Sequence, residues 1–430
     1  MLHLSLITRL LLIGVLVLLF NGLTAFLRVQ TPLFRHAVDE LALPFVESNV
    51  EHSIHTADMI STMPTIRLIV AKTMSLKDMN DTIVDIETMQ QKVDAKTMDH
   101  DYEVEWILFT YKNETYDALL EYLDTKQWKE KYRTTIYLWE GKQKLNFWQR
   151  YLNPSSIPNN IDYIWMMDGD MRIRDMAWDC FWKTARLFDP AMFAPTIMAD
   201  ADMYSESKKR YAGSSHPMKC HTDPSMDPEN NDFQHLIAVD VPLIEVQTPI
   251  FRRDSWQAVY ESFELNMPSW GKSFSDWGPN QVWCRIAASK IWNTTYAPIE
   301  QAALQPRMLW SRAKDTCSIN ETIKVDLSSV QDPRFYFNEF TEQYERHGCM
   351  IIQNTPFKHL NTQSSGARQD KQSKARQKWN AIAPAESNAY QNVYPNEFAS
   401  VKKAQIHIYR AYTSNDPSQY ACQVCKHREC

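Results

Sequence analysis

The chain has 430 residues, 44% of them hydrophobic and 23% charged, with a formal net charge of −6. That hydrophobic share suffices to bury a large core and excludes a disordered chain, and the acidic balance gives no basic face for nucleic acid, so no nucleic-acid partner is expected. Only nine glycines occur, which draws attention to Gly169, Gly271 and Gly278, each beside polar or aromatic clusters.

Arg9 precedes an almost wholly aliphatic run from Leu10 to Phe20, which Ala25, Phe26 and Leu27 extend after a short polar break. Such a segment is a cleaved signal peptide ending near Ala25 or an uncleaved anchor that nearly spans a bilayer; the anchor is the preferred reading. The expectation is therefore a cytoplasmic tip and signal anchor over 1–28. It makes the protein a single-pass type II protein of the Golgi or another secretory-pathway membrane, attached through its N-terminal helix, with the rest of the chain lumenal. The four sequons at Asn80, Asn113, Asn293 and Asn320 suit that compartment as glycosylation sites. There the eight cysteines read as disulfides, with no pairing deducible. Cys422, Cys425, His427 and Cys430 leave zinc open as an alternative.

Residues 29–100 are polar and Met-rich, with helical spacing only near Ile83, Ile86 and Met89, and read as a stem. A globular domain is assigned to 101–350. It opens with a strand at 104–111, an amphipathic helix at 116–131, a strand at 134–139 and a helix at 145–152. Next come the strand 161–167, a helix at 176–188, a strand at 192–198, a polar loop at 204–232, order again at 239–252, and a helix at 255–265 capped by Asp254. Repeated strand and helix units predict a mostly parallel α/β sheet flanked by helices, of the Rossmann-like nucleotide-binding type. Residues 351–430 read as a polar linker, centred on 361–378, and a Cys-containing extension with one candidate strand at 404–410.

The chemistry concentrates in two places. The apolar run 161–167 ends abruptly in Asp168-Gly169-Asp170. Just past the carboxyl end of a parallel strand, two hard carboxylates suit Mn²⁺ or Mg²⁺ and, through it, the diphosphate of a nucleotide-activated substrate; the plainer reading is an Asp-Gly turn. The second place holds Trp270, Gly271, Asp276, Trp277, Gly278, Asn280 and Trp283. Its three tryptophans are either a packed aromatic cluster or an acceptor platform on which sugar rings stack.

In order along the chain, the blocks 106–111, 161–170, 192–202, 244–256 and Trp277-Gly278 resemble a largely plant and protist family of membrane-anchored proteins labelled "lysine-ketoglutarate-reductase trans-splicing related", which looks like a GT-A-type glycosyltransferase family. The block 244–256 is the most specific, and the resemblance covers 104–300. It implies a GT-A-like fold, a nucleotide-sugar donor and a glycan or glycoprotein acceptor. Asp170 would be the direct metal ligand, and Asp168 would contact the ribose, or the metal through water. An inverting enzyme also needs a carboxylate to take the acceptor's proton. Where the family carries an acid after Trp-Gly this chain has Asn280, so Asp276 is the first substitute and Glu245 the second. The family histidine is absent too, leaving His347 or His359 to complete the metal, or a chain that has kept the fold without turnover: a non-catalytic lumenal sugar-binding or scaffold protein.

Overall fold

The computed structural model describes residues 65–95, 101–126, 128–140, 142–174, 176–199, 236–241, 243–272, 278–292, 323–327, 330–338, 343–359, 374–395, 397 and 410–413. The N-terminal apolar segment, Asn293, Asn320, the loop 204–232 and the cysteine cluster 422–430 lie outside them. Strands β1 (Ile66–Met74), β2 (Tyr102–Thr110), β3 (Thr134–Leu138) and β4 (Tyr163–Met167) come first. Helix α1 (Met79–Asp94) links β1 to β2, α2 (Asn113–Lys126) and α3 (Trp128–Lys131) link β2 to β3, and α4 (Lys144–Tyr151) leads to β4. All four strands are parallel, in the order β3-β2-β1-β4. The chain thus builds outward from β1 and then crosses back to lay β4 on β1's other side. In open α/β sheets the crevice beyond the carboxyl ends at such a reversal is where ligands bind.

Beyond β4 the sheet becomes mixed. β8 (Ile250–Arg252) runs antiparallel to β4 and to β6 (Met192–Ala199). β12 (Cys349–His359) pairs parallel with β6 and antiparallel with β7 (Leu236–Asp240) and with the short β5 (Met171–Arg172). β13 (Arg410–Thr413) closes the path between β7 and β9 (Ile323–Asp326), and β10 (Phe335–Asn338) forms a separate hairpin with β11 (Gln343–Arg346).

Two cores cover the sheet. Tyr163, Trp165 and Met167 of β4 face one, with Ile83 and Ile86 of α1, Leu119 of α2, and Trp178 and Trp182 of α5 (Trp178–Phe188). Ile164 and Met166 face the other, with Trp148 of α4, Trp256 of α6 (Arg253–Asn266), Trp283 of α7 (Trp283–Trp292) and Tyr390 of α8 (Lys374–Val393). The period-two alternation of a strand buried on both faces produces this split, and it makes β4 an unbroken apolar word in the sequence.

Three sequence expectations need correction. The stem assigned to 29–100 contains β1 and α1, and β1 lies inside the sheet, so the domain does not begin at 101. Arg67, Lys72 and Thr73 interrupt the apolar residues of β1, and these polar positions within the strand hid it. The polar linker and extension likewise contribute most of β12, all of α8 and β13. Residues 374–378, read as linker, open α8, whereas 404–409 lie outside the described residues. Finally, the helix at 253–266 is entered from Arg252, and Asp254 sits in its first turn, ion-paired to Arg252 at 3.1 Å instead of capping the helix. The expectation of disulfides is met by Cys284–Cys349, which ties α7 to the start of β12, and Cys180 is also disulfide-bonded.

Candidate functional site

The strand carrying the acidic pair is held on both sides up to its last residue. Lys72 of β1 pairs with Met167, and the Met166 and Asp168 amides donate to the Pro249 and Gln247 carbonyls, each at 2.9 Å. The Met171 amide then donates to the Asp168 carbonyl at 3.3 Å, closing a four-residue turn over Asp168-Gly169-Asp170. Asp168 keeps 26% of its side chain in solvent, whereas Asp170 is buried at 4%. Both carboxylates therefore stand on one tight turn at the β1/β4 reversal.

Lys144, the first residue of α4, reaches this turn. Its Nζ lies 2.9 Å from Asp168 Oδ1 and 3.1 Å from the Val246 carbonyl, with 11% of the side chain exposed. A cation on one oxygen of Asp168 leaves the pair less negative than two bare carboxylates and puts a positive group at the rim of the turn. Lys144 belongs to no motif, and sequence reasoning missed it. The contacts of Val246 and Gln247 also bring the chain at Glu245, which is half-buried, to the edge of the same turn.

The donor set suits a hard cation. A small divalent ion is bound by one or two carboxylates together with substrate phosphates, and Asp168 and Asp170 are the two carboxylates of this turn. Among the described residues no group of three His, Cys, Asp or Glu gathers around a metal position. His347 is removed from consideration as a ligand: it is fully buried, with Nδ1 2.9 Å from Asp240 Oδ1 and Nε2 2.9 Å from the Pro333 carbonyl. The backbone of His359, by contrast, pairs with Met171, one residue past Asp170.

The acceptor platform is corrected in part. Trp270 and Trp283 are 2% and 1% exposed and belong to the core, with their indole N–H groups donating to Glu264 and to the Ile244 carbonyl, both at 3.0 Å. Rings packed on all sides cannot stack on a sugar. Asn280 is buried as well, at 1%, and its Oδ1 has no hydrogen-bond partner among the described residues. Gly271 and Gly278 serve packing: a Cβ at Gly271 would lie 1.7 Å from the Gln149 side chain, and one at Gly278 would lie 2.1 Å from the Tyr390 ring. Asp276 and Trp277 lie outside the described residues. Of the sequon asparagines, Asn80 and Asn113 are exposed in the first turns of α1 and α2.

No family model and no curated protein matches the chain. Among solved structures it is similar to S. aureus TarS 1–349 in complex with UDP-GlcNAc, at 10% identity over 52% of this chain and 53% of that one, with a TM-score of 0.29. It is also similar to an active-site mutant of LgtC, at 11% identity over 46% of this chain and 64% of that one, with a TM-score of 0.23. The chain spans about half the length of the TarS structures it matches.

Proposed function

We propose that the chain is a metal-dependent glycosyltransferase of GT-A type that moves a sugar from a nucleotide-sugar donor to a glycan or glycoprotein acceptor. The observation that carries this reading is the placement of Asp168 and Asp170 on one turn at the carboxyl end of β4, where the strand order reverses beside β1. Asp170 and Asp168 hold Mn²⁺ or Mg²⁺ in this reading, with His359 the candidate third ligand by its backbone register. When bound, the ion offsets the charge that grows on the departing nucleoside diphosphate. Lys144 orients Asp168 and adds positive charge at the same rim. Glu245 or Asp276 takes the acceptor's proton. The reading keeps the N-terminal segment as a type II anchor and places the catalytic domain in the lumen of the Golgi or another secretory-pathway compartment, with glycans at the sequons.

Calorimetric titration with Mn²⁺ and a panel of nucleotide sugars tests it. Wild-type protein binds a donor only when Mn²⁺ is present, and Asp170→Ala weakens that binding at least about a hundredfold with the melting temperature held. Donor binding independent of Asp170 would move the site elsewhere. One observation favours a second reading, a non-catalytic sugar-binding or scaffold protein: the position where the resemblance expects an acid is the buried amide of Asn280. Donor that binds yet is neither hydrolysed nor transferred would select that reading.

A further inference from the structure

Behind the acidic turn lies a buried ionic bed that no motif announces. Lys72 and Asp85 are each 1% exposed in their side chains, and the Lys72 Nζ stands 3.4 Å from Asp85 Oδ2. The same Nζ donates to the Met171 carbonyl at 2.6 Å, a charge-assisted bond to the residue that follows Asp170. Asp85 continues the grip, accepting the amides of Ile173 and Arg174 at 3.3 Å and the Arg174 guanidinium at 3.1 Å. Arg174 also reaches the Asp81 carboxylate at 2.6 Å, and its own carbonyl accepts Lys92 at 3.1 Å. The chain from 171 to 174 is thus fixed by side chains of β1 and α1, and the two at its centre, Lys72 and Asp85, are closed off from solvent.

A buried ion pair adds little net stability, because desolvation cancels most of its attraction. Apolar residues would fill β1 and α1 at least as well. Its place under the turn, bonded to the chain that follows Asp170, points to a positional role.

We propose that Lys72 and Asp85 are positioning residues for the acidic turn: they fix the backbone after Asp170, and thereby its carboxylate, in the place where it meets a divalent cation. The inference rests on the glycosyltransferase reading of Asp168 and Asp170 but concerns residues that touch neither metal nor donor. Supporting groups of this kind set metal affinity, and their loss costs about 10- to 100-fold.

The test measures Mn²⁺ affinity in the presence of UDP by electron paramagnetic resonance, beside the melting temperature, for wild type, Lys72→Met, Lys72→Arg, Arg174→Met and Val259→Ala, a variant of α6 in the other core. Lys72→Met keeps the bulk and removes the donor; it is expected to lose about tenfold or more in Mn²⁺ affinity, with partial recovery in Lys72→Arg. Val259→Ala lowers the melting temperature without moving the affinity. Should Lys72→Met fail to fold, Arg174→Met, a half-buried position, carries the test with a smaller loss of affinity and faster amide exchange across 171–174. Wild-type affinity in Lys72→Met, or in Arg174→Met where it is the only folded variant, overturns the positioning role and leaves the metal site standing. A wild-type protein that binds no Mn²⁺ with UDP removes the metal site, and this inference with it.

Discussion

The two halves of the sheet employ the same kinds of side chain for different ends. In the parallel half, β3-β2-β1-β4, the strands are joined by local crossovers, and polar groups collect at the carboxyl rim, where Asp168 stays 26% exposed and Lys144 leans across it. In the mixed half, β12 arrives from far along the sequence to lie between β6 and β7, and the polar knot around His347 is closed off from solvent. There His347 is bracketed by Asp240 and the Pro333 carbonyl, Tyr412 donates to the other oxygen of Asp240 at 3.1 Å, and Phe188 and Tyr336 wall the imidazole. Asp189 is ion-paired with both Arg252 and Arg346, and the Arg346 guanidinium lies 3.5 Å over the Trp292 ring. Carboxylates alone do not mark a site. Asp240 is spent on joining β7, β13 and the chain before β12, whereas Asp168 keeps part of its side chain in solvent.

The comparison breaks if a change in one half registers in the other. His347→Ala removes the ring partner of Asp240 and of the Pro333 carbonyl inside the protein and empties a fully buried ring site. Together these are expected to cost about 3 kcal/mol or more in urea denaturation. Mn²⁺-dependent donor affinity measured below the unfolding transition should stay within about twofold of wild type, since additivity holds for sites that share no partners. A large loss of affinity in a folded His347→Ala protein would show that the rim depends on the distant knot.

This division also explains what could be read from the sequence. Most of the parallel half was legible because its units are local: the strand at 104–111, the helix at 145–152 and the acidic end of 161–167 each carry their own periodicity or punctuation. β1 escaped because Arg67, Lys72 and Thr73 break up its apolar residues, and β12 because nothing near residue 349 tells that its partners are β6 and β7. At the site the Asp pair was visible as a motif, while Lys144 and Lys72 are lone lysines whose meaning comes from folding. The tryptophans misled for the converse reason. Aromatic residues between glycines look the same in sequence whether they line a groove or fill a core, and burial decided for Trp270 and Trp283.

Tyr163 sits on the seam between the halves and gives a smaller, pH-gated effect. Burial, and then the nearby Asp189 carboxylate, push its phenol from 10.0 up to about 12. In the unfolded chain the phenol ionises near 10, so its contribution is fully present below that pH and is lost as pH rises through the folded value. Between pH 10 and 12 wild type should therefore lose up to about 3 kcal/mol that Tyr163→Phe does not lose. Urea midpoints for the two proteins at pH 8, 10 and 11.5 check this. Parallel curves would mean that the phenol ionises in the folded protein without penalty, and that the seam is open to water.

The smallest effect is expected at the far edge of the parallel half, where neither metal nor buried charge is at stake. Arg133, just before β3, adopts a left-handed backbone with φ of 45°, and its guanidinium lies 3.5 Å from Glu103, with the two side chains 58% and 41% exposed. An exposed pair at that distance contributes between nothing and about 1 kcal/mol, less in salt, while holding a non-glycine residue in the left-handed region costs about 1–2 kcal/mol. Arg133→Ala forfeits the pair and keeps the backbone cost. Arg133→Gly forfeits the pair and sheds that cost, offset in part by the greater freedom of glycine in the unfolded chain. Arg133→Gly should accordingly be more stable than Arg133→Ala by about 0.5–1 kcal/mol, with the gap unchanged between low and high salt. A gap of the opposite sign would mean that the left-handed backbone carries no such cost in this protein and that the freedom of the unfolded chain governs the entry to β3.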